Sequence, residues 1–111
     1  MLSTHDLEIF NLKADLCKVF SDPKRLIIIN ELRNGEKQVG ELVESLGIPQ
    51  AVVSRELALL KSKGMLNPRR EGTRVYYSLA DIKIVEACDI VHEVLLNNLS
   101  KNRELAERHL S

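Results

Sequence analysis

The sequence predicts a mainly α-helical fold with one small β-hairpin, a winged helix-turn-helix whose first and last helices carry surplus apolar surface. Three observations predict it. A short helical pattern over residues 39–46 is followed, after Gly47-Ile48-Pro49, by a longer one from Gln50 to Gly64. A short helix, a Gly-containing turn and a second helix with a small polar face is the helix-turn-helix pattern. Next, strand-prone runs at residues 65–70 and 74–79 flank Glu71-Gly72-Thr73, which reads as a β-hairpin. Last, the first and final helical stretches carry apolar residues on more than one face, more than one domain of this size buries by itself.

The chain's 111 residues make one domain, 1–111, with a modest core. Its 44% hydrophobic and 29% charged residues are ordinary for a globular protein. Two Phe, two Tyr and no Trp leave little for a stacking platform on single-stranded nucleic acid. Formal net charge is zero, so the chain is no general polycation. The charge is uneven, however. Between Gln50 and Leu79, six basic residues (Arg55, Lys61, Lys63, Arg69, Arg70, Arg74) face two acids (Glu56, Glu71), a local +4. A basic patch on a neutral protein suggests a defined nucleic-acid face. No apolar run approaches the roughly 18 residues of a membrane span. The polar start Met1-Leu2-Ser3-Thr4-His5-Asp6 does not read as a signal peptide. Two distant Cys fit a cytoplasmic chain with free thiols better than a disulfide framework.

Ser3 or Thr4 caps the first helix, with Asp6 and Glu8 in its opening turn, where the positive end of the helix dipole favours acids. Leu7, Phe10, Ala14 and Cys17 form one apolar stripe, and Ile9, Leu12, Leu16 and Phe20 a neighbouring one. Ser21-Asp22-Pro23 supplies a capping side chain and then Pro at the first helical position, where its missing N–H costs nothing. Leu26, Ile27, Ile29 and Leu32 follow at helical spacing, and Asn34-Gly35 ends the second helix. Glu36-Lys37-Gln38 is a connector. The third helix, 39–46, buries Leu42, Val43 and Leu46, and Gly47 closes it.

The fourth helix organises the rest. Val53, Leu57 and Leu60 share its buried stripe. The opposite side carries Ala51, Ser54, Arg55, Ala58 and Ser62. Small side chains allow close approach to another surface, while Ser and Arg reach base edges and phosphates. The same periodicity also describes an ordinary amphipathic surface helix; the flanking segments favour the DNA reading. The helix-turn-helix spans about 39–64 and the wing about 65–79. Pro68 confines the first wing strand to an edge or its start. Arg69, Arg70, Thr73 and Arg74 crowd the tip, either as a solubilising turn or as a phosphate-contacting wing.

Ala80-Asp81 caps the last helix. Ile84, Val85, Ala87, Cys88, Val91, Val94, Leu95 and Leu99 cover more than half its circumference, which makes it an interface helix. Residues 100–111 turn polar and read as a frayed extension or a short added helix.

Three motifs now point to a family. Phe20-Ser21-Asp22-Pro23-Lys24-Arg25-Leu26 resembles the opening of the second helix of ArsR/SmtB-type winged-helix repressors. Val39-Gly40-Glu41-Leu42 followed by Gln50-Ala51-Val52-Val53-Ser54-Arg55-Glu56-Leu57 resembles their helix-turn-helix, and Arg70-Glu71-Gly72-Thr73-Arg74-Val75-Tyr76-Tyr77-Ser78-Leu79 their wing. The resemblance runs from about Leu16 to Leu95 and implies a homodimer joined through the first and last helices.

The family's metal patterns are broken. Its Glu-Leu-Cys-x-Cys site in the third helix reads here Glu41-Leu42-Val43-Glu44-Ser45. Its last-helix site, Asp-x-His, then His ten residues later, then His or Glu, reads Asp81-Ile82-Lys83, Val94 and Asn97. Neither set offers the donors that zinc or arsenic needs, so no metal and no other cofactor is expected. His5, His92 and His109 are scattered, and His92 reads as a surface or interface residue. Sulfur-sensing members pair Cys in the second and last helices; the matching positions here are Asn30 and Leu96. Cys17 and Cys88 lie elsewhere. Each is either a small apolar core residue or half of a thiol switch between the two dimer helices. Glu56 stands where the family usually has His or Gln. The helical wheel puts it on the coreward flank, where it can pair with a basic residue.

The expectation is a cytoplasmic repressor bound as a homodimer to palindromic double-stranded operator DNA, and released by an unidentified effector or a thiol change. Ala51, Ser54 and Arg55 meet base edges, with Gln50 at the helix N-terminus. Lys61, Arg69, Arg70 and Arg74 hold phosphates beside Thr73. The rival is a winged-helix protein-interaction module without DNA binding, which the +4 segment argues against. No enzyme is expected, because no nucleophile–base–orienter set, phosphate-cradling Gly loop or convergent carboxylate pair is present.

Overall fold

Ser3 opens the first helix with a reciprocal cap. Its hydroxyl accepts from the Asp6 N–H at 3.1 Å, and the Asp6 carboxylate accepts from the Ser3 N–H at 3.0 Å. The computed structural model describes residues 1–110. Its elements are α1 (Thr4–Cys17), a short 3-10 helix (Lys18–Ser21), α2 (Pro23–Glu31), β1 (Lys37–Gln38), α3 (Val39–Leu46), α4 (Gln50–Ser62), β2 (Leu66–Glu71), β3 (Arg74–Leu79) and α5 (Lys83–Leu110).

Asp22 caps α2 by accepting from the Lys24 N–H at 2.8 Å, with Pro23 next in the chain. The helix stops at Glu31, earlier than Asn34-Gly35. Leu32 N–H is shared between the Ile28 and Ile29 carbonyls and Arg33 N–H bonds Asn30, so tighter i−3 bonds close the end. The inward face also differs from expectation. Ile28, Ile29 and Leu32 are buried, while Leu26 and Ile27 remain 39% and 44% exposed. Leu26, Ile27, Ile28 and Ile29 are consecutive, and an unbroken apolar turn does not say which half faces inward.

The core joins this α2 face to Leu42 of α3 and to Val53, Leu57 and Leu60 of α4, closed by Val19, Met65, Leu66 and Val85. Val43 and Leu46 are only half-buried against its rim, because so short a helix sends few residues to the centre. Lys37 and Gln38 form a strand rather than a plain connector. They pair antiparallel with Tyr77 and Tyr76 on the free side of β3, and two residues are too few to show a period. The sheet order is β1-β3-β2. Pro68 therefore lies on an edge strand, where its missing N–H breaks no ladder bond.

Two elements leave this core. No residue of α1 is buried, and Leu12 is 66% exposed. Among the described residues of α5, Val85 alone is buried in the core, with Ile84 and Cys88 packed against it, while Ile90, Val91, Val94, Leu95 and Leu99 are exposed. Residues 100–110 continue α5 without a break, a single helix of 28 residues, rather than fraying or starting another. Their good helix formers (Lys101, Arg103, Glu104, Leu105 and Glu107) sustain it. The radius of gyration is 17.9 Å, against about 13 Å for a compact domain of similar length. No helix among the described residues is long and apolar enough to cross a membrane.

Candidate nucleic-acid interface

Gly47 takes a left-handed φ of 66° at the end of α3, and its N–H bonds the Val43 carbonyl at 2.9 Å. A residue with a Cβ would be strained there, so Gly47 fixes how α3 hands the chain to α4. The stripe of Val53, Leu57 and Leu60 is wholly buried. That orientation leaves Gln50, Ala51, Ser54, Arg55, Ala58, Lys61 and Ser62 exposed. Pro49 precedes α4 and no side chain caps its N-terminus. The first N–H groups of α4 and the positive end of its dipole are therefore open beside Gln50, a setting that favours phosphate.

Glu56 is 8% exposed and accepts from Arg25 Nη1 at 3.0 Å. The acid thus points into the protein and has the basic partner anticipated for it. It adds no negative charge to the outer face.

The hairpin closes at Gly72-Thr73 with Glu71 opposite Arg74 and Arg70 opposite Val75. Side chains alternate across a strand. Arg74 therefore shares a face with Arg69, Glu71 and Tyr76, while Arg70 leaves from the other face. Arg69 is bound within the protein. It forks onto Glu36 through Nη2–Oε1 at 2.6 Å and Nε–Oε2 at 3.0 Å, and donates from Nη1 to Glu71 at 3.0 Å. Its guanidinium lies 4.5 Å from the Tyr76 ring centroid. These carboxylates hold the Arg69 pKa above its ordinary value, and Arg69 holds the Glu36 carboxyl below its own. Lys63 is likewise paired, with Asp15 at 2.7 Å. Among the described residues, Arg55, Lys61, Arg70 and Arg74 make no ion pair, and all four are exposed. Thr73 is exposed between the last two.

Sequence reading missed the partners Arg25, Glu36 and Asp15. Each meets its mate more than 30 residues away, beyond any periodic signal. The only hint was Glu56 itself, an acid on the coreward flank.

Cys17 is exposed and Cys88 half-buried, and both are free. The two line one cavity of about 650 Å³, with Leu26, Ile27, Arg33 and Leu95 among the other walls. Burial pushes the Cys88 thiol above its ordinary pKa, Asp89 adds to this and Arg33 opposes it. Arg33 forks onto Asp89 at 2.6 and 2.8 Å. Among the described residues, no group of three or more His, Cys, Asp or Glu is placed to hold a metal.

A family model described as bacterial regulatory protein, arsR family, matches residues 22–67. The HTH-type transcriptional regulator NmtR of Mycobacterium tuberculosis is 32% identical over 88% of this chain and 79% of its own. The biofilm growth-associated repressor of Xylella fastidiosa is 32% identical over 73% of this chain and 71% of its own. The homodimeric winged helix-turn-helix DNA-binding domain of a possible ArsR-family regulator from Mycobacterium bovis, solved by NMR, aligns with a TM-score of 0.75 at 29% identity, over 86% of this chain and 88% of that one.

Proposed function

The chain belongs to the arsR family of bacterial regulatory proteins, and from that premise we propose that it is a homodimeric repressor holding a palindromic operator between α4 and the wing. The observation that carries this reading is the placement of charge. Lys63 and Arg69 are neutralised within the protein, whereas, among the described residues, Arg55 and Lys61 on α4 and Arg70 and Arg74 at the wing tip stand exposed without ion pairs. Ala51, Ser54 and Arg55 read base edges from a face small enough to enter the major groove, with Gln50 at the helix N-terminus. Lys61, Arg70 and Arg74 hold phosphates beside Thr73. Arg69, expected at a phosphate, instead fixes the wing. The apolar faces of α1 and α5 join the two copies, and the dimer acts in the cytoplasm, where its operator lies.

Release acts through those same helices. Cys17 on α1 and Cys88 on α5 share a cavity wall, which supports a thiol change or a small effector acting at the root of the dimer. A raised Cys88 pKa leaves less thiolate at neutral pH, so oxidative release should quicken as pH rises.

A gel-shift series on the DNA upstream of the protein's own coding region tests the reading. The expected result is a discrete complex that weakens steeply with salt. Zinc, cadmium, lead and arsenite at stoichiometric levels should leave it intact; tight release by any one would show that a metal site exists. A Cys17→Ser/Cys88→Ser protein should resist oxidant-driven release, and unchanged release would remove the thiol switch. Absent or salt-independent DNA binding would favour the protein-interaction module.

A further inference from the structure

Arg25 joins elements far apart in the chain. Its Nε donates to the Val19 carbonyl at 2.8 Å and its Nη2 to the Lys18 carbonyl at 3.1 Å, both in the 3-10 segment at the root of α1. Its Nη1 donates to Glu56 at 3.0 Å, midway along α4, and lies 3.8 Å from Asp22. The two side chains are 13% and 10% exposed. Glu56 is the buried polar or charged residue that the core carries among the described residues. Burying a charge is costly, and an apolar residue of similar volume commonly serves stability as well. The use of a carboxylate here, beside the base-reading Arg55, therefore needs a geometric reason.

The guanidinium supplies one. It is a rigid planar fork, so engaging all three of its nitrogens fixes both distance and angle between the groups it bridges. No residue of α1 is fully buried against its own chain, so its direction is set where it is tied. One tie runs from Glu56 through Arg25 to the root of α1. A second runs from Lys63, the residue that ends α4, to Asp15. The recognition helix is thereby fixed at two points along its length to the helix that leaves for the partner subunit.

We propose that Arg25 and Glu56 are a positioning pair that sets the direction of α4 relative to α1, and hence the spacing of the two recognition helices across the dimer. This rests on the homodimeric operator-binding reading above. A dimer's half-site separation mirrors the spacing of its recognition helices, so a loosened pair should blur the preferred separation, while the grip on phosphate persists.

The test measures affinity for the operator, for operators with one base pair inserted or removed at the centre, and for a non-specific duplex. Wild type should prefer the natural spacing. In Glu56→Ala that preference should fall roughly tenfold, with binding to the non-specific duplex unchanged. Glu56→Gln keeps an acceptor for Arg25 and should retain most of the preference. Should Glu56→Ala fail to fold, Arg25→Lys, which keeps the charge and loses the fork, should show the same blurring. Val85→Ala loosens the core away from the pair and should leave the preference intact. A folded Glu56→Ala or Arg25→Lys protein with undiminished preference, or an equal loss in Val85→Ala, overturns the proposal. A wild type that binds no duplex removes the operator reading and this proposal together; wild-type binding with unaltered variants removes this proposal alone.

Discussion

Leu95→Asp should yield monomer or unfolded protein on sedimentation, with operator binding abolished. In the isolated chain Leu95 is 51% exposed and Val91 68%, so on a monomer's surface an aspartate would be nearly neutral. The outcome therefore reports directly on whether this face is covered. Within a symmetric interface each substitution enters twice, and each buried, unpaired carboxylate costs several kcal/mol, about 3–5 by analogy with broken buried pairs. That exceeds what most dimers of a small domain can absorb. Val91→Asp should behave likewise. A folded, dimeric, DNA-binding Leu95→Asp protein would remove α5 from the interface.

Arg70→Ala combined with Arg74→Ala should weaken binding to every duplex alike and flatten the logarithmic salt dependence by about one for each phosphate left without its arginine. In a dimer both changes occur on both subunits, so the combined slope change should be the largest of any wing variant. Arg55→Ala should behave differently, costing about 1–3 kcal/mol on the operator and relaxing discrimination at the bases it meets. The register sharpens the contrast. Arg70 and Arg74 leave the hairpin from opposite faces, so each single substitution should free a separate phosphate and their effects should nearly add. Equal loss of discrimination from all three arginines would overturn the division of roles.

Local chemistry made much of this legible from the residues alone. Ser3, Asp22-Pro23, Gly47 and the turn at Gly72-Thr73 each act within a few residues of themselves, so caps and turns could be read where they stand. The stripe of Val53, Leu57 and Leu60 gave α4 its inner face, and hence its outer one. Decisions that belong to tertiary structure were not legible. Ile28 enters the core in place of Ile27 because α3 and α4 choose the side of an uninterrupted apolar turn. β1 exists because β3 has an unpaired edge. Glu36, Asp15 and Arg25, which pair with Arg69, Lys63 and Glu56, lie over 30 residues from them, and a count of charge along the segment treated all six of its cations as equally free.

The Arg69 clasp bears on the thermodynamics of association. Glu36, Glu71 and the Tyr76 ring hold the guanidinium midway along the wing, and Glu36 immediately precedes β1. The hairpin is thus braced against the rest of the sheet before any ligand arrives. Docking then orders few side chains beyond the tip, so little conformational entropy is lost. The heat-capacity change should be small, without the signature of folding coupled to binding. Opening the clasp would shift that cost onto the encounter itself, and the enthalpy and entropy of binding would grow together while the groups touching DNA stayed the same.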